Sequence, residues 1–436
     1  MVFKYILTLG ILFMAARPAE AFEPLYERAP IDYHETEPDT PVTRLLEKAK
    51  REGLLSKGSD REILAEFLEA LEVPIESQVL VFSKTSAQNS RISPETPRAL
   101  YFSDDVYIGW VQGGEIEIAS FDPKLGLVFH MLKLTEREAD APPVLNRERS
   151  CLNCHAGSSN HHFPGLMVRS VFPQNTGQPL FQAGTFHTRH DSPIDERWGG
   201  WYVSGEVEDQ HHMGNAVAHS ELRDVEITLE PMGAAEASIS EFFDGDPYLN
   251  GPQSDVVALM VLEHQVGVHN ALVEANLTTR STLHRHREMQ KAFGESEDAP
   301  LSETNQRVLK SQSDRVLKQL LFADEFELPA GVEGSEAFQV AFAANERKSE
   351  EGRSLKDFRL YERLMKYRCS HLIYSDAFAD LPEIIRTLIL DDLHSILTKP
   401  DSHPEYSYLS DSEREHILQI LSETMEGLSP VWKGKG

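Results

Sequence analysis

Residues 151–155 read Cys-Leu-Asn-Cys-His, and no other stretch constrains the chain as much. Two thiols three residues apart can each add to one vinyl group of the same porphyrin. The next residue, a histidine, is then held under the iron. The chain has three cysteines and 18 histidines in 436 residues. Placed at random, these would form the pattern about six times in ten thousand sequences. The run is the attachment signature of one covalent haem c, with Cys151 and Cys154 as thioether donors and His155 as proximal iron ligand.

The N-terminus points the same way. Met1–Lys4 is a short positive start, Tyr5–Ala16 an apolar stretch too short to span a bilayer, and Ala19-Glu20-Ala21 a small-x-small cleavage site. These features predict a secretory signal peptide over residues 1–21, cut after Ala21. Haem attachment requires reduced thiols outside the cytoplasm, so the signal and the C-x-x-C-H run support each other. The expected location is periplasmic or secreted. The longest strongly apolar run after the signal, Val256–Leu262, falls far short of the roughly 20 residues of a membrane span. The mature chain is therefore expected to be soluble, with no membrane span. A formal net charge of −28 disfavours nucleic acid and anionic lipid. It is compatible with a basic redox partner protein. Cys369 lies in an apolar segment and reads as a buried free thiol.

The pattern along the chain predicts an α+β fold. A lead-in over residues 22–75 is extended and then helical, with helices at Thr43–Arg51 and Asp60–Leu71. A β-rich, haem-bearing domain over 76–250 follows. Its strands are expected at Gln78–Phe82, Arg98–Phe102, Val106–Val111, Glu115–Phe121, Leu125–Leu132, Leu166–Phe172, Leu180–His187 and Gly199–Val203, with a last one at Val225–Leu229. Residues 251–436 read as an all-helical C-terminal domain, with helices at Asp255–His286, Gln306–Leu321, Leu355–Tyr367, Pro382–Leu397 and Ser410–Leu428.

The sixth iron ligand is open on spacing alone. A methionine would raise the reduction potential, a second histidine would lower it, and a vacant site would allow ligand binding. Met213 is the first candidate because it sits in a polar downstream run; His211, His212, Met167 and His187 are the alternatives. Arg197-Trp198-Gly199-Gly200-Trp201-Tyr202 is dense in aromatics and glycine. Trp198 and Trp201 could wall a porphyrin and Arg197 could pair with a propionate, or the run is a strand with structural aromatics. The pairs His187/His190, His264/His269 and His284/His286 lack metal-ligand spacing and read as ordinary surface or core histidines.

At residues 151–155 the chain resembles the c-type cytochromes. With Arg-Trp-Gly-Gly-Trp-Tyr at 197–202 and His-Met-Gly-Asn at 212–215, it is also similar to large secreted bacterial cytochrome-like proteins. The resemblance implies covalent haem c on Cys151 and Cys154, ligation by His155, and electron transfer. The strands around the motif differ from small all-helical cytochromes c. They leave open a haem-based sensor with a PAS-like pocket, or a peroxidase-like haem enzyme, although dihaem peroxidases carry two such motifs. A zinc site or redox disulfide at Cys151 and Cys154 is a further alternative, disfavoured by the absence of a second C-x-x-C.

Overall fold

The computed structural model describes residues 23–134, 141–208, 210–220, 227–233 and 238–433. The signal segment expected over residues 1–21 lies outside them. Two helices open the fold. α1 (Pro41–Glu52) is capped by Thr40 with Thr43, and α2 (Asp60–Ala70) by Ser59 with Glu62. In each, the two side chains and backbone amides satisfy one another at the helix start. Leu45, Leu46, Ile63, Leu64 and Phe67 recur at helical spacing and are buried.

Six strands follow: β1 (Val79–Val81), β2 (Arg98–Phe102), β3 (Val106–Trp110), β4 (Ile116–Asp122), β5 (Gly126–Lys133) and β6 (Val144–Arg147). They form one antiparallel meander in which each strand pairs with its neighbours in the chain. The period-2 alternation of side chains sorts this sheet into two faces. Ala99, Tyr101, Ile108, Trp110, Ile116, Ile118 and Leu132 pack with the buried faces of α1 and α2. Val79, Val81, Phe102, Tyr107, Ala119, Phe121 and Phe129 join the opposite core, with the central helix.

After the sheet comes one helical turn, α3 (Leu152–His155), carrying the cysteine–histidine run. β7 (Arg169–Val171) and β8 (Thr185–His187) pair as antiparallel neighbours. β9 (Glu206–Val207) is followed by the antiparallel pair β10 (Ala216–Ser220) and β11 (Ile227–Pro231). The strand expected at Gly199–Val203 is a single bridge, Val81 to Trp201. Of the expected Val225–Leu229 strand, the part before residue 227 lies outside the described residues.

The 38-residue α4 (Val256–Phe293) runs through the middle of the molecule. Asp255 caps it, accepting from the Ala258 amide at 3.0 Å. Its length and composition would suffice to cross a membrane, contrary to the expectation from the sequence. Yet 89 % of its most apolar window is buried inside this fold. Uncommon for a core helix, it also buries Glu263, His264, Gln265 and His269. α5 (Glu303–Leu320), β12 (Val332–Glu333), α6 (Glu336–Ala343), β13 (Phe358–Tyr361), β14 (Arg363–Met365), α7 (Asp376–Ala379), α8 (Glu383–Thr398) and α9 (Asp411–Thr424) complete the chain. β12 returns to pair with β9.

The α+β class stands, with the sheet in the N-terminal half and helices in the C-terminal half. A buried core continues across residue 250, from Tyr26 to Trp432. One detail differs from the sequence reading. The helix expected at Leu355–Tyr367 is instead the bulged pair β13–β14. Leu360 and Glu362 take left-handed backbone angles (φ 53° and 67°) there, which a helix cannot include.

Candidate haem-attachment site

The α3 turn places its side chains by helical spacing. Leu152 points into the core at 8 % exposure, Cys151 is half-buried against the same core, and Cys154 is exposed. The thiols at i and i+3 share one side of the turn. Burial, with the nearby carboxylates of Glu117 and Glu148, pushes the Cys151 thiol up to about 11. A redox C-x-x-C motif depends on a lowered thiol pKa, so this environment counts against that alternative. Among the described residues, no three His, Cys, Asp or Glu side chains converge as a metal-ligand group. The four ligands of a structural zinc are therefore not assembled here.

His155 is fixed by the loop that follows it. Its Nδ1 lies 2.8 Å from the Gly165 carbonyl oxygen. A carbonyl only accepts, so Nδ1 carries the proton and Nε2 keeps its lone pair. This is how proteins orient ligating imidazoles. The backbone closes the loop in return: the Gly165 amide and the Asn160 side chain each donate to the His155 carbonyl at 2.9 Å. Left-handed angles at His161 (φ 50°) and His162 (φ 63°) turn the chain back. Asn270 of α4 then clamps Leu166, accepting from its amide at 2.8 Å and donating to its carbonyl at 2.9 Å. Burial lowers the His155 pKa, aided by the positive charges of Arg98 and Arg169. The ring is neutral at pH 7, the form a metal requires.

The sheet supplies the surroundings. Phe129 of β5 packs its ring 4.4 Å from the His155 ring. Arg98 lies across Gly109 of the neighbouring strand to pair with Glu117. A Cβ at Gly109 would approach the Arg98 guanidinium carbon to 2.8 Å, so glycine provides the passage. The Nε atoms of Arg98 and Arg169 are buried without a hydrogen-bond partner among the described residues. Arg98 is committed to Glu117, whereas Arg169 has no ion pair among the described residues and could meet a haem carboxylate. The two thiols, the free Nε2 and Arg169 fit the group expected from the sequence.

The other expected contributors divide. Trp201 is close: its indole donates to the Arg169 carbonyl at 2.8 Å. Arg197 is elsewhere. It is 1 % exposed and donates to Glu263 at 2.9 Å, to the His190 carbonyl at 3.0 Å and through Nε to the Ser192 carbonyl at 2.9 Å. With those bonds made, it braces α4 instead of a propionate. Trp198 is fully buried beside it, facing Glu263 with one edge and the His212 ring, 5.1 Å away, with another.

Met213 is a core side chain at 3 % exposure. Its sulfur accepts from Ser170 at 3.5 Å, and a Cβ at Gly199 would lie 3.0 Å from its methyl. Adjacent residues of a strand face opposite ways. Arg169 acts on His155 while Ser170 touches Met213, so β7 separates the two. His212 accepts from the Gly214 amide at 3.0 Å, and burial takes its pKa down to about 4. His187 is different. It stands directly across from Arg169 in the β7–β8 pair, on the face that Arg169 shares with the haem motif.

Sequence reasoning missed Gly165, Asn160, Asn270, Phe129, Arg98 and Arg169. Only Pro164-Gly165 carried a local signal, as a turn dipeptide; the rest reach the site through long-range packing. A scan of family models, a search of curated proteins and a search of solved structures each returned no match to this chain.

Proposed function

We propose that the chain is an exported monohaem c-type cytochrome. Cys151 and Cys154 hold the haem by thioether bonds, and His155 Nε2 ligates its iron. The observation that carries this reading is the Nδ1–H bond from His155 to the Gly165 carbonyl, on a turn that presents both thiols. The bound haem supplies reversible one-electron chemistry. The chain's own groups hold the imidazole, pack Phe129 against it, and would offer Arg169 to a propionate. An acidic protein of charge −28 suits a basic redox partner, whose approach its field would steer.

The test is a pyridine haemochrome spectrum on protein made with a c-type maturation system and purified from the periplasm. The expected result is a single c-type α-band, with one haem per chain surviving acid–acetone extraction. Protein recovered without haem would overturn the reading.

For the sixth ligand, the β7–β8 pairing favours His187 over Met213. Burial, with Arg169 and Arg189, lowers the His187 pKa, which keeps the ring neutral and able to ligate. Replacing His187 with Ala is expected to turn a low-spin ferric spectrum high-spin, whereas Met213→Leu leaves it low-spin. The reverse pattern would return the assignment to methionine.

A further inference from the structure

On the sheet face shared with the haem motif, but at the β2–β3 turn, lies a cavity of about 570 Å³. Ser103–Asp105 forms one wall, Phe338 and Phe342 of α6 another, and Gln265 of α4 and Asp376 of α7 contribute to the lining. We propose that this cavity binds a primary alkylammonium, its N–H groups held by Asp105, Asp376 and Gln265 and its alkyl chain by Phe338 and Phe342.

The charge inventory sets the sign of the ligand. Four carboxylates line the cavity, Glu72, Asp104, Asp105 and Asp376, against one cation, Lys356. Asp104 is already engaged, with Lys356 at 3.0 Å and His371 Nε2 at 3.2 Å. Burial lowers the His371 pKa, so that ring adds no fixed positive charge at pH 7. Asp105 is engaged by backbone amides, that of Ala377 at 3.4 Å and that of Asp376, and by no cation among the described residues. Burial, Asp376 and Asp104 together push its carboxyl up to about 7, the mark of a carboxylate short of a cation. An anionic ligand would meet net repulsion here.

The hydrogen-bond inventory sets the chemical class. Gln265 is 1 % exposed, and its Nε2 rests 3.1 Å from His371 Nε2. Its Oε1 is buried with no hydrogen-bond partner among the described residues, a costly state for a core amide. Gln265 Oε1 and the Asp105 and Asp376 carboxylates are acceptors, which asks for a ligand rich in N–H donors. The aromatic wall agrees. Lys356 Nζ already lies 4.8 Å from the Phe342 ring centroid, and Phe338 and Phe342 pack at 5.8 Å. Aromatic faces attract ammonium groups, and a cavity of this size is in the range of small-ligand sites.

Isothermal titration of the full chain with n-butylammonium, at pH 8, tests the proposal. Saturable binding is expected, weakened at least tenfold in Asp105→Asn/Asp376→Asn. Asp376 is exposed at the start of α7. Asp376→Asn alone therefore keeps the fold, verified by circular dichroism, and is expected to weaken binding at least threefold. Tetramethylammonium, which has no N–H, and butyrate are expected to bind far more weakly. Absence of saturable binding, equal binding of tetramethylammonium or butyrate, or unchanged affinity in both variants would overturn it. The readout is heat, so it stands or falls separately from the haem.

Discussion

The Cys151→Ala/Cys154→Ala variant, expressed beside its parent with a c-type maturation system, is expected to reach the periplasm with no covalent haem. The parent is expected to carry one per chain. The loss is complete because both attachment points lie on α3 and its N-cap, and the third cysteine, Cys369, is fully buried. Burial also raises the Cys369 thiol to about 12, so it offers no substitute nucleophile. Export is unaffected, since the segment expected to direct it lies over residues 1–21. Stability should change little before haem is counted: Cys154 is exposed and Cys151 only half-buried. Haem stain after denaturing electrophoresis, with immunodetection of the periplasmic fraction, reads both outcomes on one gel. Haem that persists in the double variant would refute thioether attachment at this motif.

Arg197→Met is expected to cost about 3–5 kcal/mol of folding stability, measured by urea unfolding at pH 7. Arg197 and Glu263 are 1 % and 0 % exposed and meet at 2.9 Å. Removing the guanidinium strands a buried carboxylate in the N-terminal part of α4 and releases the carbonyls of His190 and Ser192. Burial already raises the Glu263 pKa against the pull of Arg197, so without its partner the acid takes up a proton on folding. Adding Glu263→Gln removes that charge while leaving an oxygen for Thr188 and Trp198, which face it. The double variant should therefore be more stable than Arg197→Met alone. A single-variant loss below about 1 kcal/mol would show that the pair is not a structural brace.

The elements easiest to read from sequence were those whose signals are local. β2 occupies Arg98–Phe102, the residues expected for it, because a short apolar and aromatic run ends at the turn Ser103-Asp104-Asp105. α8 and α9 start and stop within a few residues of expectation, on apolar periodicity and a serine cap at Ser410. The cysteine–histidine run was legible because its chemistry is contained in five consecutive residues. Arg-Trp-Gly-Gly-Trp-Tyr was not, because its six residues serve separate neighbours. Arg197 answers to Glu263, 66 positions away, Gly200 (φ 87°) sits tight against Ser83, and Trp201 reaches β7. At Leu355–Tyr367 the apolar spacing suits a helix and a hairpin alike, and the turn at Leu360 and Glu362 decides between them. Met213 looked out of place among polar neighbours in sequence, yet folding carries it into the core beneath Gly199.

The meander has a consequence for the order in which the chain assembles. Each of its six strands needs only the strand before or after it, so the sheet closes on local contacts and can form early. The face that bears Phe129 is covered only when α4 arrives, about a hundred residues after α3. The clamp of Asn270 on Leu166 likewise waits for α4. Under the proposed function, a chain exported across a membrane would pass through a stage with a formed sheet and an open motif, in which a haem-attaching enzyme would reach both thiols. Once α4 docks, Leu152 is buried and the imidazole is locked to Gly165. In this scheme the length of chain between α3 and α4 works as a timer for cofactor loading.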